Sequence, residues 1–174
     1  GKPIKIARAV DASRSVANFR FFAEFSKDFQ EEKFLMEDAI NHVIFKPVGI
    51  AGLITPWNLP LYLLSWKIAP AIVMGNTVVA KPSELTPLTA NLLAEVFDEV
   101  GLPSGVVNIV HGFGHETGQA ITSHPKVDLI SFTGGTATGK KVAETAAPMF
   151  KKLSLELGGK NATIGLDLSL IHIS

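Results

Sequence analysis

Apolar positions recur at three- to four-residue steps over residues 13–33, at Val16, Phe19, Phe22, Ala23 and Phe29, and this spacing predicts an amphipathic helix. Together with Phe21 and Phe25 these rings read as a helix face packed on a sheet. Residues 39–46 alternate loosely and predict an exposed strand. After Pro47 the pattern changes to short β-branched runs at 48–54, 77–80, 105–110, 129–132 and 153–155. Helical stretches lie between them, each about as long as a parallel crossover requires. The clearest covers 87–100, with Thr86 as N-cap, Pro87 in the first turn and a stripe of Leu88, Leu92, Leu93, Val96, Phe97 and Val100. Gly101 and Pro103 stop it. Another helix is predicted from Thr136 to Pro148. The greasiest stretch, 59–74, is interrupted by Lys67 and two prolines and is too short to span a bilayer, so it reads as a buried helix.

Strands that are apolar throughout and alternate with helices imply an α/β fold, a Rossmann-like parallel sheet with helices on both faces. A chain of 174 residues with 47% hydrophobic and 18% charged residues fits one packed domain. Sixteen basic residues balance sixteen acidic ones without a basic cluster, which argues against a nucleic-acid partner. The chain has no cysteine, so disulfides, thiolate metal sites and a thiol nucleophile are excluded within it. No secretory signal opens the sequence and no membrane segment interrupts it, which makes the cytoplasm the default location. Residues 161–166 begin another apolar strand, and the chain then stops without a cap. The expectation is a fragment truncated at both ends, with residues after about Leu166 candidates for a non-native tail.

Candidate chemistry sits at predicted strand ends, where open parallel sheets bind ligands. After the first strand come Thr55-Pro56-Trp57-Asn58; the Asn58 amide is either an oxyanion donor or a cap on the next helix. After the second come Lys81-Pro82-Ser83-Glu84, whose Lys and Glu fit ribose hydroxyls or a solvated turn. Two glycine-rich loops follow, residues 112–118 and then Phe132-Thr133-Gly134-Gly135-Thr136-Ala137-Thr138-Gly139. Glycine lets backbone approach a ligand, and a helix opening at Thr136 presents bare N–H groups suited to phosphate. Neither loop is a strict G-x-G-x-x-G. Last, Glu156 closes an apolar strand before Leu157-Gly158-Gly159-Lys160; it is a candidate general base or a solvent-facing strand-end carboxylate. His111 and His115 lack further ligands and do not suggest a metal.

Taken together, Pro56-Trp57-Asn58, Lys81-Pro82-Ser83-Glu84, Phe132-Thr133-Gly134 and Glu156-Leu157-Gly158-Gly159-Lys160 resemble the NAD(P)-dependent aldehyde dehydrogenase superfamily over about residues 5–164. The run of residues 57–67 looks most like its muconic-semialdehyde branch. The resemblance implies an aldehyde substrate attacked by a cysteine thiolate, hydride transfer to the nicotinamide, and hydrolysis of the resulting thioester. Asn58 then matches the oxyanion donor and Glu156 the base that activates water. Lys81 and Glu84 match the residues that hold the adenosine ribose, with Ser83 between them. Gly114 and Gly118 match glycines near the adenine. The stretch from Phe132 and Thr133 through Gly134, Gly135 and Thr136 to Gly139 matches the pyrophosphate turn, and Ile54, Thr55, Trp57 and Leu157 complete the cofactor contacts. A carboxylate at Glu84 disfavours a 2′-phosphate, so NAD is expected over NADP. Gly135 departs from the family's usual Ser, and the family's nucleophilic Cys would lie beyond this chain.

The resemblance also divides the chain into residues 1–47, a helix and oligomerisation strand; 48–157, the NAD-binding core; and 158–174, the start of a catalytic domain. It implies a parent that is a homo-oligomer, a dimer or tetramer. Two rivals stand beside this reading: a non-catalytic dinucleotide-binding or assembly module, and an acyl-phosphate-reducing relative that does not need Glu156. An intact Asn58 and Glu156 favour the aldehyde dehydrogenase.

Overall fold

The computed structural model describes residues 2–162. A short helix α1 (Ile4–Ile6) runs through a π-helical stretch (Ala7–Ala12) into α2 (Ser13–Asp28), so helix begins well before the predicted Ser13. It also ends earlier than predicted, because Phe29 turns to extended backbone. Residues assigned from periodicity to the helix end instead form β1 (Glu32–Leu35), which pairs antiparallel with β2 (Ile40–Val43), Glu32 opposite Val43. The exposed strand expected over 39–46 is therefore one arm of a hairpin, and every residue of both strands is exposed.

The remaining elements are β3 (Ile50–Ile54), α3 (Pro60–Val73), β4 (Thr77–Lys81), α4 (Pro87–Glu99), β5 (Val107–Ile109), α5 (Gln119–Ser123), β6 (Leu129–Gly134), α6 (Thr136–Ala146) and β7 (Lys152–Leu157). The five strands β3 to β7 make one parallel sheet in the order β5-β4-β3-β6-β7. Each of the five strand runs read between residues 48 and 155 is present. The chain first builds outward from β3 to β5, then returns past β3 to place β6 on its other side. The strand order reverses there, and beyond the carboxyl ends of β3 and β6 an open α/β sheet leaves a crevice.

Side chains alternate between the two faces of the sheet. Ala51, Leu53, Val78 and Ala80 join Leu64 and Ile68 of α3 and Ala90 and Leu93 of α4 in one buried layer. Ile54, Ile130 and Phe132 join Ile121 of α5 and Val142 of α6 in the other. Burying one such leucine or isoleucine stabilises the fold by about 2 kcal/mol. β7 departs from the expected apolar run. It alternates, with Leu153, Leu155 and Leu157 packed on the second layer while Lys152, Ser154 and Glu156 are exposed. As the outermost strand it has one face left partly open.

The aromatic helix packs differently from the expectation. Phe19 reaches the first core layer and meets Phe97 edge-on at 5.9 Å, but Phe21 and Phe25 are exposed. α2 lies across α3 rather than directly on the sheet, joined by polar contacts. Asn18 donates to Ser65 Oγ (2.9 Å) and to the Tyr62 carbonyl (3.1 Å). The buried Asp11 carboxylate accepts from the Tyr62 N–H at 2.8 Å, capping α3 from another helix.

Two further details correct the sequence reading. Thr86 occupies the cap position of α4, yet its side chain makes no capping bond; Pro87 alone presets the first turn. Of the stripe on α4 only Leu93 is buried, and Leu88, Leu92, Val96 and Val100 face outward, because the helix touches the sheet along a narrow line. α6 ends at Ala146, and Pro148 sits in a 3-10 turn (Ala147–Met149). Among the described residues no helix is long and apolar enough to cross a membrane. The strand expected from residue 161, and the tail after Leu166, lie outside the described residues except for Asn161 and Ala162, which belong to neither helix nor strand.

Candidate active and cofactor site

β3 delivers its chain end to the crevice. The Thr55 N–H donates to the Lys81 carbonyl (3.1 Å), holding the two strand ends together. Pro56 then stops the ladder, and α3 starts at Pro60 with Leu59, not Asn58, in the cap position. The reading of Asn58 as a helix cap is therefore not what the fold uses. Its exposed amide instead lines a cleft of about 490 Å³ together with Trp57, Thr133, Gly134, Gly135 and Glu156. Leu157 borders the same space. Glu156 arrives there because β7 pairs in register with β6, Thr133 beside Glu156 and Gly134 beside Leu157. The amide and the carboxylate come from distant segments of the chain and line one cleft beside the strand-order reversal.

The floor of the cleft is a helix start. Gly135 sits at the cap position of α6 with φ −68° and ψ 146°, and no side chain caps the helix. Thr136 opens α6 and is exposed. The first N–H groups of this helix therefore lack intrahelical partners and carry the positive end of its dipole. Gly139 lies one turn further on but is buried; a Cβ there would drive into the Leu157 side chain, so this glycine lets α6 approach β7 rather than opening onto the cleft. Beyond Glu156, Gly158 adopts φ +45° and donates to the Gly134 carbonyl at 3.4 Å. The strand carrying the carboxylate thus ends on a glycine that can take the left-handed turn required.

A second cleft, about 370 Å³, adjoins between α5 and α6. Ile54, Gly114, Gly118 and Phe132, singled out in the sequence, line it together with His115, Gln119, Thr122, Thr138 and Lys141, which were not. Thr138 and Lys141 stand three apart on α6 just after the glycine-rich turn, and that spacing was the available signal.

Lys81 and Ser83 are buried at the end of β4, and Glu84 is exposed beside them. Lys81 Nζ donates to the Pro82 carbonyl (2.8 Å) and lies 3.4 Å from Glu84 Oε2. Ser83 Oγ accepts from the Leu85 N–H at 3.3 Å, a local turn that leaves it facing its own backbone. The Glu84 carboxyl is held below the usual range, first by its own backbone N–H; burial opposes this, and Lys81 and then His115 add to the lowering. Thr55 is buried, and its hydroxyl oxygen has no partner among the described residues.

One further group near Glu156 carries no signal along the chain. Lys67, taken there only as an interruption of an apolar stretch, is 7% exposed on the inner side of α3 and donates to Ser131 Oγ at 2.7 Å. Burial pushes its ammonium down to about 8, and the Glu156 carboxylate opposes that fall. Only the register of β6 and β7 under α3 puts Lys67 and Glu156 on the wall of one further cleft, which Asn58 does not line. Among the described residues no cluster of three or more His, Cys, Asp or Glu could hold a metal ion.

The aldehyde dehydrogenase family profile matches residues 1–168. The chain is 55% identical over 166 residues to 2-aminomuconic semialdehyde dehydrogenase of Homo sapiens, covering 94% of this chain and 34% of that protein. It is 49% identical over 170 residues to 2-hydroxymuconic semialdehyde dehydrogenase of a Pseudomonas species, covering 94% and 35%. Among solved structures, an aldehyde dehydrogenase from Bacillus cereus in complex with NAD+ superposes with a TM-score of 0.90 at 43% identity, covering 96% of this chain and 34% of that one. The chain therefore spans about a third of the length of the relatives it matches. Sequence, fold and cleft agree: these residues belong to the aldehyde dehydrogenase family.

Proposed function

We propose that this chain supplies the cofactor cleft, the oxyanion donor and the hydrolytic base for NAD-dependent oxidation of an aldehyde to a carboxylic acid, with a muconic-type semialdehyde as substrate class. The reading is carried by one observation: Asn58 and Glu156 line the same cleft as the Gly134–Gly135 turn. A non-catalytic binder would need neither group. The semialdehyde class is supported by the names of the most similar curated relatives.

The residues present fit a dinucleotide. The uncapped start of α6 suits a pyrophosphate, the Glu84 carboxylate suits two ribose hydroxyls, and the unpartnered Thr55 hydroxyl leaves a buried polar atom for a ligand. The nicotinamide, when bound, accepts the hydride. Trp57, Thr133 and Leu157 line the first cleft and Phe132 the second. Gly114 and Gly118 keep the second cleft open for the adenosine end. A negative Glu84 disfavours a 2′-phosphate, so NAD is the preferred form.

The Asn58 amide donates to the oxygen that becomes negative when the carbonyl is attacked, and Glu156 takes a proton from the water that releases the acid. None of the 174 residues is a cysteine, so the thiol of the family reaction comes from outside them and the chain alone is not expected to turn over aldehyde. The exposed Phe34, Leu35, Met36, Ile40, Ile44 and Phe45 on and beside the hairpin support a subunit contact in the assembled enzyme.

The test uses the longer enzyme that carries these residues. Asn58→Ala should lower kcat by about 10²- to 10³-fold, as loss of an oxyanion donor does. Glu156→Gln should keep the first burst of reduced cofactor and lose steady turnover, because acylation precedes the step that needs the base. Unchanged steady turnover in Glu156→Gln would overturn the assignment.

A further inference from the structure

Helix α3 opens without a cap of its own. Leu59 stands in the cap position, no side chain makes the capping bond there, and the first turn carries no acidic residue. The early N–H groups of α3 therefore lack intrahelical partners and carry the positive end of its dipole. Asp11 supplies the missing acceptor from a distant part of the chain. Its Oδ1 accepts from the Tyr62 N–H at 2.8 Å, and its Oδ2 lies 3.3 Å from Lys2 Nζ. The side chain reaches α3 from the π-helical stretch (Ala7–Ala12), an irregularity in an otherwise continuous helix, and the residue is 6% exposed. Stretches of this kind recur at functional positions. Asn18 and Ser65 hold the same turn, donating to the Tyr62 carbonyl at 3.1 and 2.8 Å.

Asn58 lies between two anchors. Behind it the Thr55 N–H is held by the Lys81 carbonyl at the strand end, and ahead of it the Tyr62 N–H is held by Asp11 at the helix start. We propose that Asp11 is a positioning residue for the reaction: by holding the first turn of α3 it fixes where the Asn58 amide sits in the cleft. This rests on the reading of Asn58 as the oxyanion donor. Asp11 is not one of the described residues that line this cleft, so it acts through the loop and touches neither substrate nor cofactor. A misplacement of about 1 Å at a reacting centre costs on the order of a hundredfold in rate. Outright loss of the donor, about 10²- to 10³-fold, sets the upper bound. Loss of the Asp11 acceptor should therefore lower kcat about ten- to hundredfold. The glycine turn and the end of β4, where the cofactor is read to bind, lie on other elements and keep their geometry.

The experiment is a double-mutant cycle in the longer enzyme, reading kcat and the Kd for NAD of wild type, Asp11→Ala, Asn58→Ala and the double variant. Asp11→Ala should lower kcat about ten- to hundredfold and leave the Kd for NAD unchanged. In the Asn58→Ala background the same change should cost less than about twofold, because the amide it positions is already gone. Asp11→Asn keeps an oxygen in reach of the Tyr62 N–H and should restore most of kcat. Asp11→Leu fills the space without an acceptor and takes the place of Asp11→Ala should that variant not fold. An unchanged kcat without the acceptor, an equal loss in the Asn58→Ala background, or an Asp11→Asn variant as slow as Asp11→Ala overturns the positioning role and leaves Asn58 as the oxyanion donor. A normal kcat in Asn58→Ala removes the oxyanion reading, and this inference with it.

Discussion

Replacing Lys67 by Met tests the electrostatics at the centre of the site. The side chain is 7% exposed, and its ammonium falls from 10.5 to about 8. That difference means the folded chain disfavours the charged form by about 3 kcal/mol relative to the unfolded one. Met has similar length and no charge; it forfeits the bond to Ser131, worth about 1 kcal/mol. Lys67→Met should therefore be more stable than wild type by about 2 kcal/mol at pH 7. The sign with pH follows from which state binds more protons. Between pH 8 and 10.5 the unfolded chain keeps a proton on Lys67 that the folded chain has released, so wild-type stability rises with pH there. The penalty is full below pH 8, and the advantage of the variant should shrink by about 2–3 kcal/mol between pH 7 and pH 10. Urea unfolding of both proteins at the two pH values measures it. The buried Lys151, also lowered by desolvation, is common to both proteins and cancels in the difference. A variant less stable at pH 7, or a difference that ignores pH, refutes the reasoning. A cation kept at such a cost beside Glu156 is the pattern expected of a functional position.

Three other outcomes follow. Gly135→Ser has open space around its new Cβ and an ordinary φ of −68°, so it should fold normally; the added hydroxyl should tighten NAD by up to about fivefold, read by calorimetry. Asp11→Ala strips the acceptor from the Tyr62 N–H and should lower stability by about 2 kcal/mol in urea unfolding, without altering NAD affinity. Glu84→Ala in the longer enzyme should raise use of NADP relative to NAD; an unchanged ratio would remove the carboxylate from the explanation of cofactor choice.

Much of the site was legible because its residues are punctuation. Pro56 ends a strand, and Thr136 opens a helix directly after two glycines, so a linear reading finds them. The β1–β2 hairpin was missed at its first strand because Glu31-Glu32-Lys33 continues a helical composition, and only pairing with Ile40–Val43 makes it extended. The stripe on α4 is mostly exposed, because periodicity reports which residues share a face, not how wide a contact that face makes.

The sequence by itself determined the alternation of five strands with helices and the turn residues at each strand end, since hydrophobic period and backbone restriction act over a few residues. What the tertiary structure decided was the strand order β5-β4-β3-β6-β7 and the register of β6 with β7. That order and register are set by packing between distant segments, and they put Glu156 on the wall of two clefts, one lined by Asn58 and the other by Lys67 and Ser131, although 98 positions, 156 less 58, separate it from Asn58. Lys67 shows the difference most plainly: along the chain it interrupts an apolar helix, and in the fold it is the buried cation facing the carboxylate.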